Sequence, residues 1–136
     1  SYKASASCIH HRCTISCLPA PNRISVSWDQ TVRFWDMLTG TYHEAWTIED
    51  AHDDYIYDVE YVGRASDLEK VDQFATCSAD RTVKVWDFST RKVLHTLSGH
   101  AGEVHKLTWN RMHSLWVSGG EDSTIRTWSL EGDPVA

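Results

Sequence analysis

The chain has 136 residues, 41% of them hydrophobic and 24% charged, with a formal net charge of −6. It holds no apolar run near the ~20 residues that a membrane-spanning helix needs, and no signal peptide is expected. The acidic balance, with a pI of about 5.7, argues against a nucleic-acid phosphate backbone as direct partner.

In chain order, short alternating stretches predict strands over Thr14–Leu18, Ile24–Trp28, Thr31–Asp36 and Thr41–Thr47. A second group runs over Tyr55–Val62, Gln73–Ser78, Thr82–Asp87 and Lys92–Leu97, with a polar surface loop at Arg64–Asp72. A third covers Val104–Trp109, Leu115–Gly119 and Thr124–Trp128, after which SLEGDPVA is too short and acidic for a good outer strand. Turn residues separate the strands and no helix is required, so the expected class is all-β and antiparallel. The chain begins at Ser1 without an initiator Met, as expected of a piece of a longer protein.

Each group carries the same seven-residue step from Asp to Trp: Asp29 to Trp35 (DQTVRFW), Asp80 to Trp86 (DRTVKVW) and Asp122 to Trp128 (DSTIRTW). A Ser or Thr stands four residues before each Asp, at Ser25, Thr76 and Ser118. The tryptophans recur at steps of 51 and 42 residues, the range of a radial or stacked repeat.

With Trp35-Asp36, Trp86-Asp87, a degenerate Trp128-Ser129, Gly99-His100 and Ala51-His52, nearly the whole chain resembles the WD40-repeat family. The resemblance implies β-propeller blades, about three of them, four-stranded and antiparallel, within a larger ring of about six to eight. The expected division is a partial propeller over 1–136: blade one at 1–47, blade two at 48–97, blade three at 98–136. The outer strand of blade three is expected to be missing or supplied elsewhere, with residues 1–9 available as a closing strand. Three blades alone would leave two apolar faces open. Three origins stay open: a piece of a longer propeller, one half of a two-chain six-bladed assembly, or a protein of which only part is in hand.

The resemblance also implies a buried polar relay within each blade, running Trp to Ser/Thr to His to Asp. The sets are His52, Thr76, Asp80, Trp86 and His100, Ser118, Asp122, Trp128; the first is Ser25, Asp29 and Trp35 with His11, or else His10. Ser, His and Asp together suggest a catalytic relay, but one copy per repeat is what a structural network needs and an active site does not. The chain is therefore read as a non-enzyme, with no catalytic residue, metal or cofactor. The Cys8–Cys17 segment (CIHHRCTISC) lacks the paired ligand spacing of a zinc site. Its thiols and Cys77 read as reduced cysteines of an intracellular protein. The acidic loop at Glu49–Asp54 lacks the Gly and closing Glu of a calcium loop.

In the family, the positions three and five after the His and the one before the turn Asp line the narrow face of the ring. Here these are Thr14, Ser16 and Trp28; Tyr55, Tyr57 and Ala79; Glu103, His105 and Glu121. Tyr55 and Tyr57 alternate to one side of their strand. The partner-binding candidates are therefore Trp28, Tyr55, Tyr57, Glu103, His105 and Glu121, an aromatic set bordered by carboxylates that suits Lys- or Arg-bearing peptides. The expected function is a protein-interaction scaffold within a complex. The alternative is a structural subunit of a large fixed assembly, of ciliary or ribonucleoprotein type, contacted through the propeller sides. No membrane contact is expected.

Overall fold

The same tight turn recurs three times, at Ser27–Gln30, Ser78–Arg81 and Gly120–Ser123, each closed by a backbone bond of 3.2 Å from its fourth residue to its first. Gln30, Arg81 and Ser123 take left-handed backbone angles there (φ 68°, 73° and 62°) without a glycine. What holds them is the preceding aspartate. Its Oδ1 accepts both the backbone N–H and the hydroxyl of the Thr two residues on: Asp29 with Thr31 at 3.1 and 2.6 Å, Asp80 with Thr82 at 2.9 and 2.6 Å, Asp122 with Thr124 at 3.0 and 2.7 Å. Side-chain mimicry of a turn is the usual work of Asp in such positions.

The computed structural model describes residues 13–17, 23–38, 40–62 and 72–135. Among the described residues, twelve strands make three four-stranded antiparallel sheets. The first holds β1 (Cys13–Cys17), β2 (Arg23–Ser27), β3 (Val32–Leu38) and β4 (Thr41–Ile48). The second holds β5 (Ile56–Val62), β6 (Gln73–Ser78), β7 (Thr82–Asp87) and β8 (Val93–Ser98). The third holds β9 (Val104–Asn110), β10 (Leu115–Gly120), β11 (Ile125–Trp128) and β12 (Pro134–Val135). Each is a simple meander, with strands paired in sequence order.

One expectation is corrected. The third sheet does have a fourth strand of its own: β12 pairs Val135 with Thr127 and Pro134 with Trp128, and Thr127 Oγ1 donates to the Val135 carbonyl at 2.8 Å. Two residues suffice because the proline sits on the outer edge, where its missing N–H has no ladder partner to fail. The closing strand expected at residues 1–9, the first-repeat histidines His10 and His11, and the loop expected at Arg64–Asp72, apart from Asp72 itself, lie outside the described residues.

The sheets stack face to face through two apolar clusters. Ile24, Val26, Val32 and Phe34 of the first pack on Ile56, Val59, Phe74 and Trp86 of the second. Ala75, Cys77, Val83, Val85 and Leu97 of the second pack on Val104, Leu107, Trp116 and Trp128 of the third. Phe34 meets Phe74 edge-on with ring centres 5.5 Å apart. Each fully buried side chain of this kind contributes about 1.5–3 kcal/mol, so the stacking of sheets, rather than any one sheet, carries the stability. Cys77 is a free thiol buried in the second cluster; burial, its largest influence, pushes its pKa up and keeps it protonated.

Polar bonds cross the same boundaries. Thr14 Oγ1 donates to the Tyr57 carbonyl at 2.7 Å, and the Leu107 N–H donates to Asp58 Oδ2 at 3.0 Å. Two bulges sit at equivalent places on the innermost strands. Between Ile56 and Asp58 the register slips past Tyr57, and between Val104 and Lys106 it slips past His105.

Candidate functional site

The polar relay is complete in two sheets. His52 Nδ1 lies 2.9 Å from Asp80 Oδ2, His52 Nε2 lies 2.7 Å from Thr76 Oγ1, and Trp86 Nε1 donates to that hydroxyl at 3.0 Å. In the third sheet the corresponding distances are 2.9 Å (His100–Asp122), 2.8 Å (His100–Ser118) and 2.9 Å (Trp128–Ser118). A carboxylate only accepts, so Nδ1–H donates to it; with a neutral imidazole, Nε2 then accepts the hydroxyl proton. In the first sheet Trp35 Nε1 donates to Ser25 at 2.9 Å, and Arg33 makes an ion pair with Asp29 at 3.4 Å.

The hydroxyls of Thr76 and Ser118 are already occupied by the indole and the imidazole, and both residues are buried. No substrate can reach them. Burial pushes the Asp80 carboxyl up, but bonds from His52 and Thr82 outweigh it and hold its pKa well below the usual carboxylate range. The Thr124 hydroxyl leads the same downward effect on Asp122.

The six partner-binding candidates lie elsewhere, together, at the end of the sheets where the Asp-led turns lie. Trp28 comes from the first such turn, Glu121 from the third, and Tyr55 and Glu103 from the residues entering β5 and β9. Trp28 stacks flat on Tyr55 (ring centres 4.7 Å, planes 4° apart) and meets Tyr57 edge-on at 6.3 Å. Tyr57 in turn stacks on His105 at 4.6 Å and donates its hydroxyl to Glu103 Oε2 at 3.0 Å. The Glu121 N–H donates to the Glu103 carbonyl at 2.8 Å, so both carboxylates share one backbone platform. Gly120 makes that approach possible: a Cβ there would stand 2.7 Å from the Glu103 carbonyl oxygen. Ala79 donates its N–H to the Tyr55 carbonyl at 2.9 Å and brings no ring.

Strand alternation alone does not assemble this row. Tyr55 precedes β5 and Tyr57 is its bulged residue, so the two rings meet Trp28 on different geometries, one stacked and one edge-on. The bulge at His105 matches the bulge at Tyr57, and the two re-aimed rings meet. Bulges commonly redirect a side chain in this way beside a working surface. Burial, then the bond to Glu103, then the charges of Glu103, Asp54 and Glu121 push the Tyr57 phenol up to about 12. Three carboxylates thus act on one ring edge.

The WD40 family model (WD domain, G-beta repeat) matches residues 3–36, 45–87 and 91–129. The chain belongs to the WD40 family. This WD40 chain is 34% identical to the small ribosomal subunit protein RACK1 of Drosophila melanogaster, over 79% of its own length and 45% of the relative's. It is 33% identical to the protein transport protein SEC13 of Yarrowia lipolytica, over 62% of its length and 28% of that protein's. A 58-residue stretch, 43% of this chain and 15% of the relative, is 40% identical to the pre-mRNA-splicing factor PRP46 of Candida albicans. Among solved structures, the WD40 β-propeller domain of Doa1 superposes with a TM-score of 0.75 at 25% identity, covering 90% of this chain and 38% of that one. The three sheets are thus WD40 blades, and the chain spans less than half the length of these relatives.

Missed in the sequence was the Thr of each turn. Thr31, Thr82 and Thr124 stand two residues after each Asp, and the threefold D-x-T pattern was the signal for them. Asp58, which ties two blades together, gave no repeat signal because the third repeat has Lys106 at that place.

Proposed function

We propose that this chain is a non-catalytic interaction platform whose turn end, the narrow face of the family's ring, takes up Lys- or Arg-bearing peptide segments of intracellular protein partners. The observation that carries the reading is the continuous row Tyr55–Trp28–Tyr57–His105, edged by Asp54, Glu103 and Glu121. A cation over such rings gains about 0.5–2 kcal/mol, and the carboxylates add charge pairing and steering. Tyr55 is 42% exposed, so part of the row is open to a ligand. The three blades fit a larger ring, completed by further sequence or by a second chain. That the relatives work in ribosomal, transport and splicing contexts agrees with a scaffold role.

A second reading, side-on contact within a fixed assembly, draws on exposed apolar residues of the outer strands: Trp46 on β4, and Val93 and Leu94 on β8. The two are separated by pull-down of partners with Trp28→Ala and Tyr55→Ala beside Leu94→Glu. Loss with the first pair alone supports the turn end; loss with Leu94→Glu alone supports the sides.

A further inference from the structure

Glu103, His105 and Glu121 each direct one ligand atom into the same small volume, with all three atoms within 4.8 Å of one another. His105 Nε2 lies 3.7 Å from Glu103 Oε2, long for a hydrogen bond. It is close to the roughly 3.3–3.6 Å between neighbouring ligands of a tetrahedral ion whose bonds are about 2.0–2.2 Å. The three residues are not a loose acidic cluster. The bulge turns His105 out of the ladder, Tyr57 stacks on its ring, and the Tyr57 hydroxyl donates to Glu103 Oε2, the oxygen that faces His105. Such outer partners are what orient ligands at metal centres. The Gly120 approach anchors Glu121 to the Glu103 backbone. Glu121 is the exposed member of the set.

From this geometry we infer that Glu103, His105 and Glu121 form a surface site for a divalent transition ion of the zinc class, with solvent completing the coordination. The imidazole nitrogen beside two carboxylates suits zinc, nickel or cobalt, whereas calcium and magnesium favour all-oxygen ligand sets. No ligand pattern near in sequence marks this set, which joins two segments across a bulge. The ion would neutralise two of the three carboxylates that face Tyr57. On the reading that this patch takes basic peptides, metal and peptide compete.

The test is calorimetric titration with Zn²⁺ of the chain carrying Cys8→Ser, Cys13→Ser and Cys17→Ser, which removes the thiols near the N-terminus. His105→Asn and Glu121→Gln are then compared in that background, with circular dichroism to show that they fold. Each is expected to weaken Zn²⁺ binding at least tenfold, and Tyr57→Phe about tenfold through its outer-shell hydroxyl. Mg²⁺ in excess should not displace the ion. Equal Zn²⁺ affinity in all variants overturns the site. A loss in the variants, with peptide affinity unmoved by saturating Zn²⁺, supports the metal site and removes the peptide from this patch.

Discussion

Thr76 holds two groups at once, the indole of Trp86 and the imidazole of His52, and both are buried with it. Thr76→Val keeps the shape and orphans both, at about 1–3 kcal/mol for each unpaired group. Ser25→Ala in the first blade should cost less, because Trp35 is only half-buried; urea denaturation of the two variants measures the difference. Acid should act through Asp80 and Asp122. Their pKa values lie lower in the folded chain than in the unfolded one, so the stability they add is complete above the ordinary carboxylate pKa of about 3.9. It is lost as pH falls from there through the folded values. Asp80→Asn is expected to flatten the decline of stability below about pH 4, as followed by denaturation at stepped pH. At this scale much was legible in the sequence: Asp, Trp and Ser/Thr repeat because the relay repeats. The threonines at 31, 82 and 124 were equally legible, as a threefold D-x-T pattern.

Strands are tied across blades by particular bonds, and Asp58 is the most exacting of them. Burial pushes its carboxyl upward, yet it accepts the backbone N–H groups of Leu107 and Val59. Asp58→Ala leaves the Leu107 donor unmet and should cost about 1–3 kcal/mol. Asp58→Asn keeps an acceptor and removes a desolvated charge, so at neutral pH it should cost much less than the alanine variant; thermal unfolding of both checks the order. Neither this bond nor the two bulges could be read from sequence. A bulge is a mismatch between two strands, fixed by register, and a single strand's residues do not record it. Strict alternation therefore gave Tyr55 and Tyr57 a common side, and the structure gives them different geometries against Trp28.

Across the whole molecule, the repeats show what each blade face is built to meet. The residue after each Asp-x-Thr is Val32, Val83 or Ile125. The first two are 0% exposed beneath the next blade, while Ile125 is 79% exposed. An apolar side chain in this position matches a blade stacked upon it, as in a longer ring. The 136-residue chain alone is accordingly expected to self-associate at raised concentration, and Ile125→Glu to reduce that association in sedimentation velocity runs. If the variant associates as strongly as the parent chain, the open face lies elsewhere. The central claim, that the turn end takes basic peptides, is tested most directly by titrating a labelled Lys/Arg-rich peptide into the parent chain, Trp28→Ala and Glu121→Lys at two salt concentrations. Binding is expected to weaken at high salt in the parent chain, and to be about tenfold or more weaker in each variant. Equal affinity in all three proteins would contradict it.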